Sequence, residues 1–310
     1  MSILGIDRIT YGVADAATCR KFFLDWGLKL VHESGDALDF QTLNGCEVHV
    51  RGIEDPTLPA AIEDGPTLRE VVWGVESHAD IEPLRAALGA EAHYAERYGT
   101  LHVTDPNGLA LAFRLTHKRK LDAKGVPMNA WGQPGRGVNR RSTFYERAKP
   151  IEVGHVVFFT DRLAELERFY VEKLGFAVSD RYPGRGVFLR CAPEGGHHDL
   201  FLLQPPAPKR GLNHVAFTVR DIHEVFGGGL HISRCGWDTE LGPGRHPISS
   251  AYFWYVKNPA GALAEYYTDE DQLDGAWEPR EFQQAPEVFA EWAVIGGIDG
   301  NTRRAKVAPK

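Results

Sequence analysis

Asn258-Pro-Ala-Gly-Ala-Leu-Ala-Glu-Tyr-Tyr267 repeats, with one change, the pattern of Asp105-Pro-Asn-Gly-Leu-Ala-Leu-Ala-Phe-Arg114. Each copy has a Pro-Gly turn followed by the small and apolar run of a buried strand. The copies part where the first has Ala112 and the second Glu265. A carboxylate in such a strand is costly unless something pairs with it.

The likeness extends outward from the turns. The first half opens with a strand over Ile6 to Val13, then a helix whose Cys19, Phe22, Phe23 and Trp26 recur at helical spacing. The second opens with a strand over Glu152 to Phe159. Thr160 or Asp161 can then cap a helix with Leu163, Leu166, Phe169, Tyr170 and Leu174 on one face, and Gly175 stops it. Midway through the halves, Glu70-Val-Val-Trp-Gly-Val75 matches His214-Val-Ala-Phe-Thr-Val219. The chain therefore reads as four strand-helix-strand modules in a row.

Composition bounds the rest. At 310 residues and 34.5 kDa the chain has room for two domains, and 43% hydrophobic with 25% charged residues is a folded composition. A net charge of −7 and a pI near 6.0 argue against nucleic acid or an anionic membrane surface as partner. No run approaches the ~18 apolar residues of a membrane span, and no basic-then-apolar leader opens the sequence, so a cytoplasmic location is expected. Cys19, Cys46, Cys191 and Cys235 have neither zinc-knuckle nor disulfide-scaffold spacing. Lys118-Arg-Lys120 and Asn139-Arg-Arg141 fall in an irregular stretch that reads as a linker.

Three polar residues stand out in the second half: His155 in Val-Gly-His-Val-Val, His214 in Leu-Asn-His-Val-Ala, and Glu265. With Trp73 and Phe217 as anchors, His214 falls opposite Glu70, and the turns put Glu265 opposite Ala112. His155 falls opposite Asp7, Arg8 or Ile9. Two histidines and a carboxylate are the set that binds non-haem Fe(II) or Mn(II) on one triangular face, leaving the other positions open. No such set is evident in the first half.

With these residues the chain resembles the type I extradiol ring-cleavage dioxygenases of the vicinal oxygen chelate superfamily. The resemblance spans about residues 6 to 270, through Gly-His155-Val, Asn-His214-Val-Ala-Phe and above all Gly244-Arg-His246-Pro-Ile-Ser-Ser-Ala-Tyr-Phe-Trp-Tyr255 running on to Glu265. It implies an α+β protein of two similar domains, each of two βαβββ modules forming a curled, partly open sheet around a cavity. The expected boundaries are an N-terminal domain without a metal site to residue 116, a linker over 117–150, a catalytic metal-binding domain over 151–275, and a tail over 276–310. The tail is expected to carry a helix from Pro286 to Ile295, packing on the catalytic half through Trp277, Phe282, Phe289 and Trp292, and a charged end from Arg303 to Lys310.

The resemblance also implies that His155, His214 and Glu265 hold the metal, Fe(II) first and Mn(II) as alternative. His246 and Tyr255 would hydrogen-bond a deprotonated catechol oxygen, and His198 would serve as the acid-base residue. Because adjacent strand residues face opposite ways, one of His197 and His198 should reach the pocket and the other an exposed outer face; the family pattern selects His198. Ser249 replaces an acidic residue found in one branch. Phe253, Trp254 and Tyr266 read equally as core or substrate contacts. The implied reaction is cleavage of a substituted catechol beside its two hydroxyls by dioxygen, in a homo-oligomer. Two alternatives stay open: a glyoxalase-like isomerase, lyase or thiol transferase, and a protein that binds an aromatic compound without turnover.

Overall fold

Each half of the chain builds one mixed sheet from two copies of the same unit. The computed structural model describes residues 2–95, 99–283 and 285–298; the charged end over 303–310 lies outside the described residues. The first unit is β1 (Ile3–Val13), α1 (Ala16–Asp25), β2 (Lys29–Ser34), β3 (Ala37–Gln41) and β4 (Glu47–Gly52). The second is β5 (Thr67–Val75), α2 (Ile81–Leu88), β6 (His93–Ala95), β7 (Thr100–Thr104) and β8 (Ala110–Leu115). They join as β2-β3-β4-β1-β5-β8-β7-β6, with β1 and β5 antiparallel at the centre.

A short hairpin, β9 (Asn129–Ala130) with β10 (Gln133–Pro134), lies in the connecting stretch. The pattern then repeats. The third unit is β11 (Glu152–Phe159), α3 (Leu163–Arg168), β12 (Ala177–Tyr182), β13 (Gly186–Arg190), a two-residue β14 (Gly195–Gly196) and β15 (Leu200–Leu203). The fourth is β16 (Gly211–Thr218), α4 (Ile222–Arg234), β17 (Thr239–Arg245), β18 (Tyr252–Lys257) and β19 (Leu263–Thr268). After β20 (Gln272–Leu273) come β21 (Arg280–Glu281), α5 (Pro286–Phe289) and β22 (Trp292–Ile295). The larger sheet runs β21-β12-β13-β15-β11-β16-β19-β18-β17-β22, so its inner eight strands repeat the order of the first sheet.

Local chemistry explains most boundaries. Asp15 caps α1 by accepting from Thr18 N at 2.9 Å, and Cys19, Phe22 and Phe23 turn into the core. β1 starts at Ile3, three residues before the expected Ile6, because Ile3 pairs with Val75. The expected caps of the second-half helix differ: α3 begins at Leu163 after Arg162, and Thr160 Oγ1 instead accepts from Arg162 N at 2.9 Å. Its Leu163 and Leu166, and Phe169 and Tyr170 of the π-helical turn Phe169–Lys173 that continues it, are buried as expected.

The tail departs from expectation. One helical turn, Pro286–Phe289, replaces the helix over 286–295, and Trp292–Ile295 becomes a strand. That run is aromatic and β-branched at its ends, and β17 offers an open edge, where Leu241, Gly244 and Arg245 pair with Ile295, Ala293 and Trp292. β21 and β22 thus lie at opposite edges of the sheet, and Ala285 and Phe289, between them in sequence, line the cavity on it.

The halves meet through aromatic packing. Trp26 stacks on Tyr266 at 3.6 Å between centroids, and the Tyr266 hydroxyl donates to Trp26 O at 2.7 Å. Both side chains are fully buried, so truncating either should cost about 3–5 kcal/mol. Among the described residues no helix is long and apolar enough to cross a membrane.

Candidate metal centre

The centre of the larger sheet brings three strands together at one methyl group. On β16, Ala216 lies opposite His155 of β11 on one side and Glu265 of β19 on the other. His214, two residues earlier on β16, shares their face because strand side chains alternate. Ala216 is fully buried and adds only a methyl, so the three longer side chains can converge over it.

They converge closely. His155 Nε2 and His214 Nε2 are 3.3 Å apart, and Glu265 Oε2 lies 3.3 Å from the first and 3.1 Å from the second. Yet Glu265 Oε2 is buried and, among the described residues, has no contact of hydrogen-bond geometry. The three atoms belong to residue types that ligate metals and face one shared space. An octahedral face with metal–ligand bonds of ~2.1 Å has edges of ~3 Å, so the residues fit a divalent ion.

The surroundings hold these atoms in a ligating form. Asn213 Oδ1 lies 2.6 Å from His214 Nδ1, which places the proton there and leaves Nε2 free. His155 Nδ1 has no hydrogen-bond partner among the described residues; its ring packs against His198 at 4.1 Å and Tyr267 at 4.8 Å. Glycine precedes His155 because a Cβ at Gly154 would overlap the Tyr267 hydroxyl. Burial pushes His155 down to about 4, keeping its imidazole neutral. Burial alone would raise Glu265, but the closeness of the His155, His214 and His246 rings outweighs it and holds the carboxylate well below its usual range.

The cavity beside this triangle has mainly apolar walls, including Val157, Tyr182, Phe188, Phe201 and Ile248, and His198, His246 and Tyr255 also line it. Tyr255 of β18 pairs with Glu265 across the sheet. Its hydroxyl is 3.0 Å from His246 Nε2, which is 3.8 Å from Glu265 Oε1. His246 Nδ1 lies 2.7 Å from the carbonyl oxygen of Phe289. A carbonyl only accepts, so Nδ1 carries the hydrogen and the neutral ring accepts from Tyr255 at Nε2. Burial first, then the charge of Glu265, raises the Tyr255 phenol well above its ordinary value.

The structure corrects the reading of His197. Both histidines are buried, His197 completely. They lie between β14 and β15 rather than in a strand, so alternation does not separate them. His198 lines the cavity, while His197 turns to Asp180, with Nε2 2.8 Å from Oδ2. Phe253, Trp254 and Tyr266 belong to the core and are fully buried; Phe253 stacks beneath His246 at 4.1 Å. Ser249 is buried and does line the cavity.

Sequence reasoning missed three contributors. Phe289 acts through a backbone carbonyl, which no residue type signals. Asp180 occupies an unremarkable strand. Glu270 accepts from His197 N at 2.9 Å and from Tyr267 Oη at 3.1 Å, and burial pushes its carboxyl up to about 8. Only the glycine at 196 warned of it, since a Cβ there would overlap the Glu270 carboxylate.

In the first sheet the matching positions are explicit. Arg8 and Ala112 flank Val72 as His155 and Glu265 flank Ala216, and Glu70 takes the place of His214. Arg8 Nη2 binds Glu70 Oε2 at 2.8 Å. A further group of ligand-type atoms, from Asp25, His231 and Cys235, joins α1 to α4. Its carboxylate already pairs with Lys21 and accepts from Trp237 Nε1 at 2.8 Å.

Residues 152–266 match the family described as the Glyoxalase/Bleomycin resistance protein/Dioxygenase superfamily. Metapyrocatechase 2 of Cupriavidus necator is 32% identical over 221 residues, 69% of this chain and 68% of that protein. A manganese-dependent 2,3-dihydroxybiphenyl 1,2-dioxygenase of Geobacillus genomosp. 3 is 23% identical, covering 85% of this chain and 84% of the relative. Among solved structures, the Mn(II)-bound glyoxalase from Novosphingobium aromaticivorans matches with a TM-score of 0.74 at 23% identity, over 95% of this chain and 93% of its own. At that identity the likeness is one of fold.

Proposed function

This chain belongs to the extradiol catechol dioxygenases of the vicinal oxygen chelate superfamily, and from that premise we propose that it cleaves a substituted catechol at a divalent metal held by His155, His214 and Glu265. The observation that carries this reading is the triangle of ligand atoms, 3.1–3.3 Å apart, one of them a buried carboxylate oxygen with no hydrogen bond among the described residues. Fe(II) is the first candidate and Mn(II) the second, since the ligand set suits both.

When bound, the metal supplies Lewis acidity toward the catechol oxygens and electron transfer toward dioxygen. The chain's own residues do the rest. Tyr255, whose high pKa keeps its phenol protonated, can turn its one O–H from His246 Nε2 to a deprotonated catechol oxygen. His246 is held in place by the Phe289 carbonyl on one edge and Phe253 beneath its ring, so it orients Tyr255 and the substrate together. His198 is kept neutral by burial, and can take the catechol proton and return it as the ring opens. Phe188 and Phe201, stacked at 3.9 Å, form a dry wall suited to the substituted ring. The tail closes the cavity through Ala285 and Phe289, so the catalytic unit at 151–275 is completed by residues of the segment after 276.

We place this activity in the cytoplasm and in a homo-oligomer, to be checked by cell fractionation and light scattering. The central experiment is anaerobic purification, metal analysis and catechol-dependent oxygen uptake. One bound Fe or Mn per chain and uptake with a catechol panel are expected. Bound metal without uptake would overturn the reading in favour of an isomerase or a binding protein.

A further inference from the structure

Asp180 of β12 is fully buried, yet its carboxylate is gripped from two sides. Arg280 donates its backbone N to Oδ1 at 2.7 Å and Nη2 to Oδ2 at 2.6 Å. His197 brings Nε2 to 2.8 Å from Oδ2, and its other nitrogen, Nδ1, lies 3.1 Å from Nδ1 of His198. Arg280, Asp180, His197 and His198 thus form a continuous chain of contacts ending at the cavity.

With His197 neutral, donor and acceptor chemistry fixes the hydrogens along it. A carboxylate only accepts, so His197 carries its hydrogen on Nε2; in the neutral ring Nδ1 is then bare. It can accept only from Nδ1–H of His198. That leaves Nε2 of His198, on the ring edge away from His197, as a bare acceptor. Holding the loop does not require this arrangement, because Glu270 already accepts from His197 N and packs closely against Gly196. What the ring contacts add is orientation. Burial works against charge on Asp180, but hydrogen bonds from His197 and Arg280 outweigh it, so the carboxylate stays ionised.

We propose that Asp180 and His197 are positioning residues, which fix the tautomer and ring orientation of His198 so that its Nε2 receives the proton of the catechol hydroxyl. The proposal rests on the ring-cleavage reading for its functional consequence and on geometry alone for the tautomer. In the step, the O–H bond of the catechol breaks, the N–H bond at Nε2 forms, and the hydrogen on Nδ1 stays shared with His197. Asp180 acts at one remove, as an orienting carboxylate does for any base it holds through a ring.

The test uses the full-length protein in two arms. In the metal-free protein, ring 15N shifts should show His198 protonated at Nδ1, and Asp180→Asn should shift it toward a tautomer mixture. In the metal-loaded protein, Asp180→Asn should lower kcat about 10- to 100-fold with KM and bound metal unchanged, no more than the roughly 10²–10⁴-fold worth of the acid-base group it positions. In a His198→Asn background the same substitution should cost nothing further. An equal fall in both backgrounds, or a fall in metal content in place of kcat, would mean a structural role and overturn the proposal.

His197→Gln provides a second route, because its amide can donate to Asp180 and accept from His198. It should keep kcat within a few-fold of wild type, whereas His197→Phe should fall like Asp180→Asn. If wild type turns over no catechol, the ring-cleavage reading fails; the 15N arm still decides the tautomer.

Discussion

Arg8 and Glu70 form a 2.8 Å ion pair at the two positions of the first sheet that correspond to His155 and His214 of the second. The third corner, Glu265, is matched by Ala112. One scaffold therefore handles the same buried location in two ways. The first half neutralises a glutamate with a guanidinium from its own chain, and the second leaves a glutamate that calls for a cation from outside.

The ion pair is expected to be structural only. Arg8→Ala strands the Glu70 carboxylate at a site where the two side chains are 23% and 11% exposed. Urea unfolding should report a loss of about 1–3 kcal/mol, below the cost of breaking a fully buried pair. Bound metal should stay at the wild-type level.

The proposed ligands should separate from the proposed acid-base residue. His155→Ala, His214→Ala and Glu265→Ala should each weaken metal retention by at least about 100-fold, beyond what loss of an outer partner costs. His198→Ala should retain the metal and lose turnover. Metal analysis after gel filtration, with oxygen uptake on the same samples, gives both readings, and a metal-free His198→Ala would refute the division.

Ala216 is expected to act as a size filter beneath the centre. It lies between His155 and Glu265 and is fully buried, so a larger side chain must enter the space over which the three ligands meet. Ala216→Leu should cost about 1–3 kcal/mol of stability from overpacking. It should also abolish metal binding while circular dichroism still reports the folded sheet.

Glu270 should make stability fall with rising pH. Its carboxyl is raised from 4.5 to about 8 by burial, with the charge of Asp199 adding to the effect. Below pH 4.5 the group is protonated both folded and unfolded and costs nothing. Between 4.5 and about 8 the unfolded chain ionises and the folded one resists, so stability declines and the loss is complete above about 8. Glu270→Gln cannot ionise, so its melting temperature in the metal-free protein should gain on wild type from pH 5 to pH 8. A tenfold change in a proton-binding equilibrium is worth about 1.4 kcal/mol, and the side chain keeps some solvent contact, so a gain of about 1–3 kcal/mol is expected. A difference independent of pH would rule this out.

Much of the architecture was legible because turns and alternation are local. The two Pro-Gly hairpins matched Ala112 to Glu265, and the Trp73 and Phe217 anchors matched Glu70 to His214, as the paired registers bear out. The partner of His155 stays open among Asp7, Arg8 and Ile9 in the sequence because no turn anchors the first strand. Its pairing also slips between Ile6 and Arg8, as that of β11 slips between Val153 and His155. A bulge moves a side chain to the other face without any change in residue type. The same limit misled the reading of His197, which assumed a strand where the chain makes a loop.

Hydrophobic period, turn chemistry and an unpaired polar residue in an apolar strand are written locally. Residue order therefore specified the four-module repeat and marked His155, His214 and Glu265, while the two domains of curled sheets were what the family resemblance implied. Packing in three dimensions was needed to establish that Arg8 answers His155, that His197 is buried against Asp180, and that Phe289 lends its carbonyl to His246. Those relations depend on bulges, on the path of the tail and on contacts between residues 17 and 43 positions apart. Residue type encodes what a group can bond to, and the folded chain chooses which group it meets.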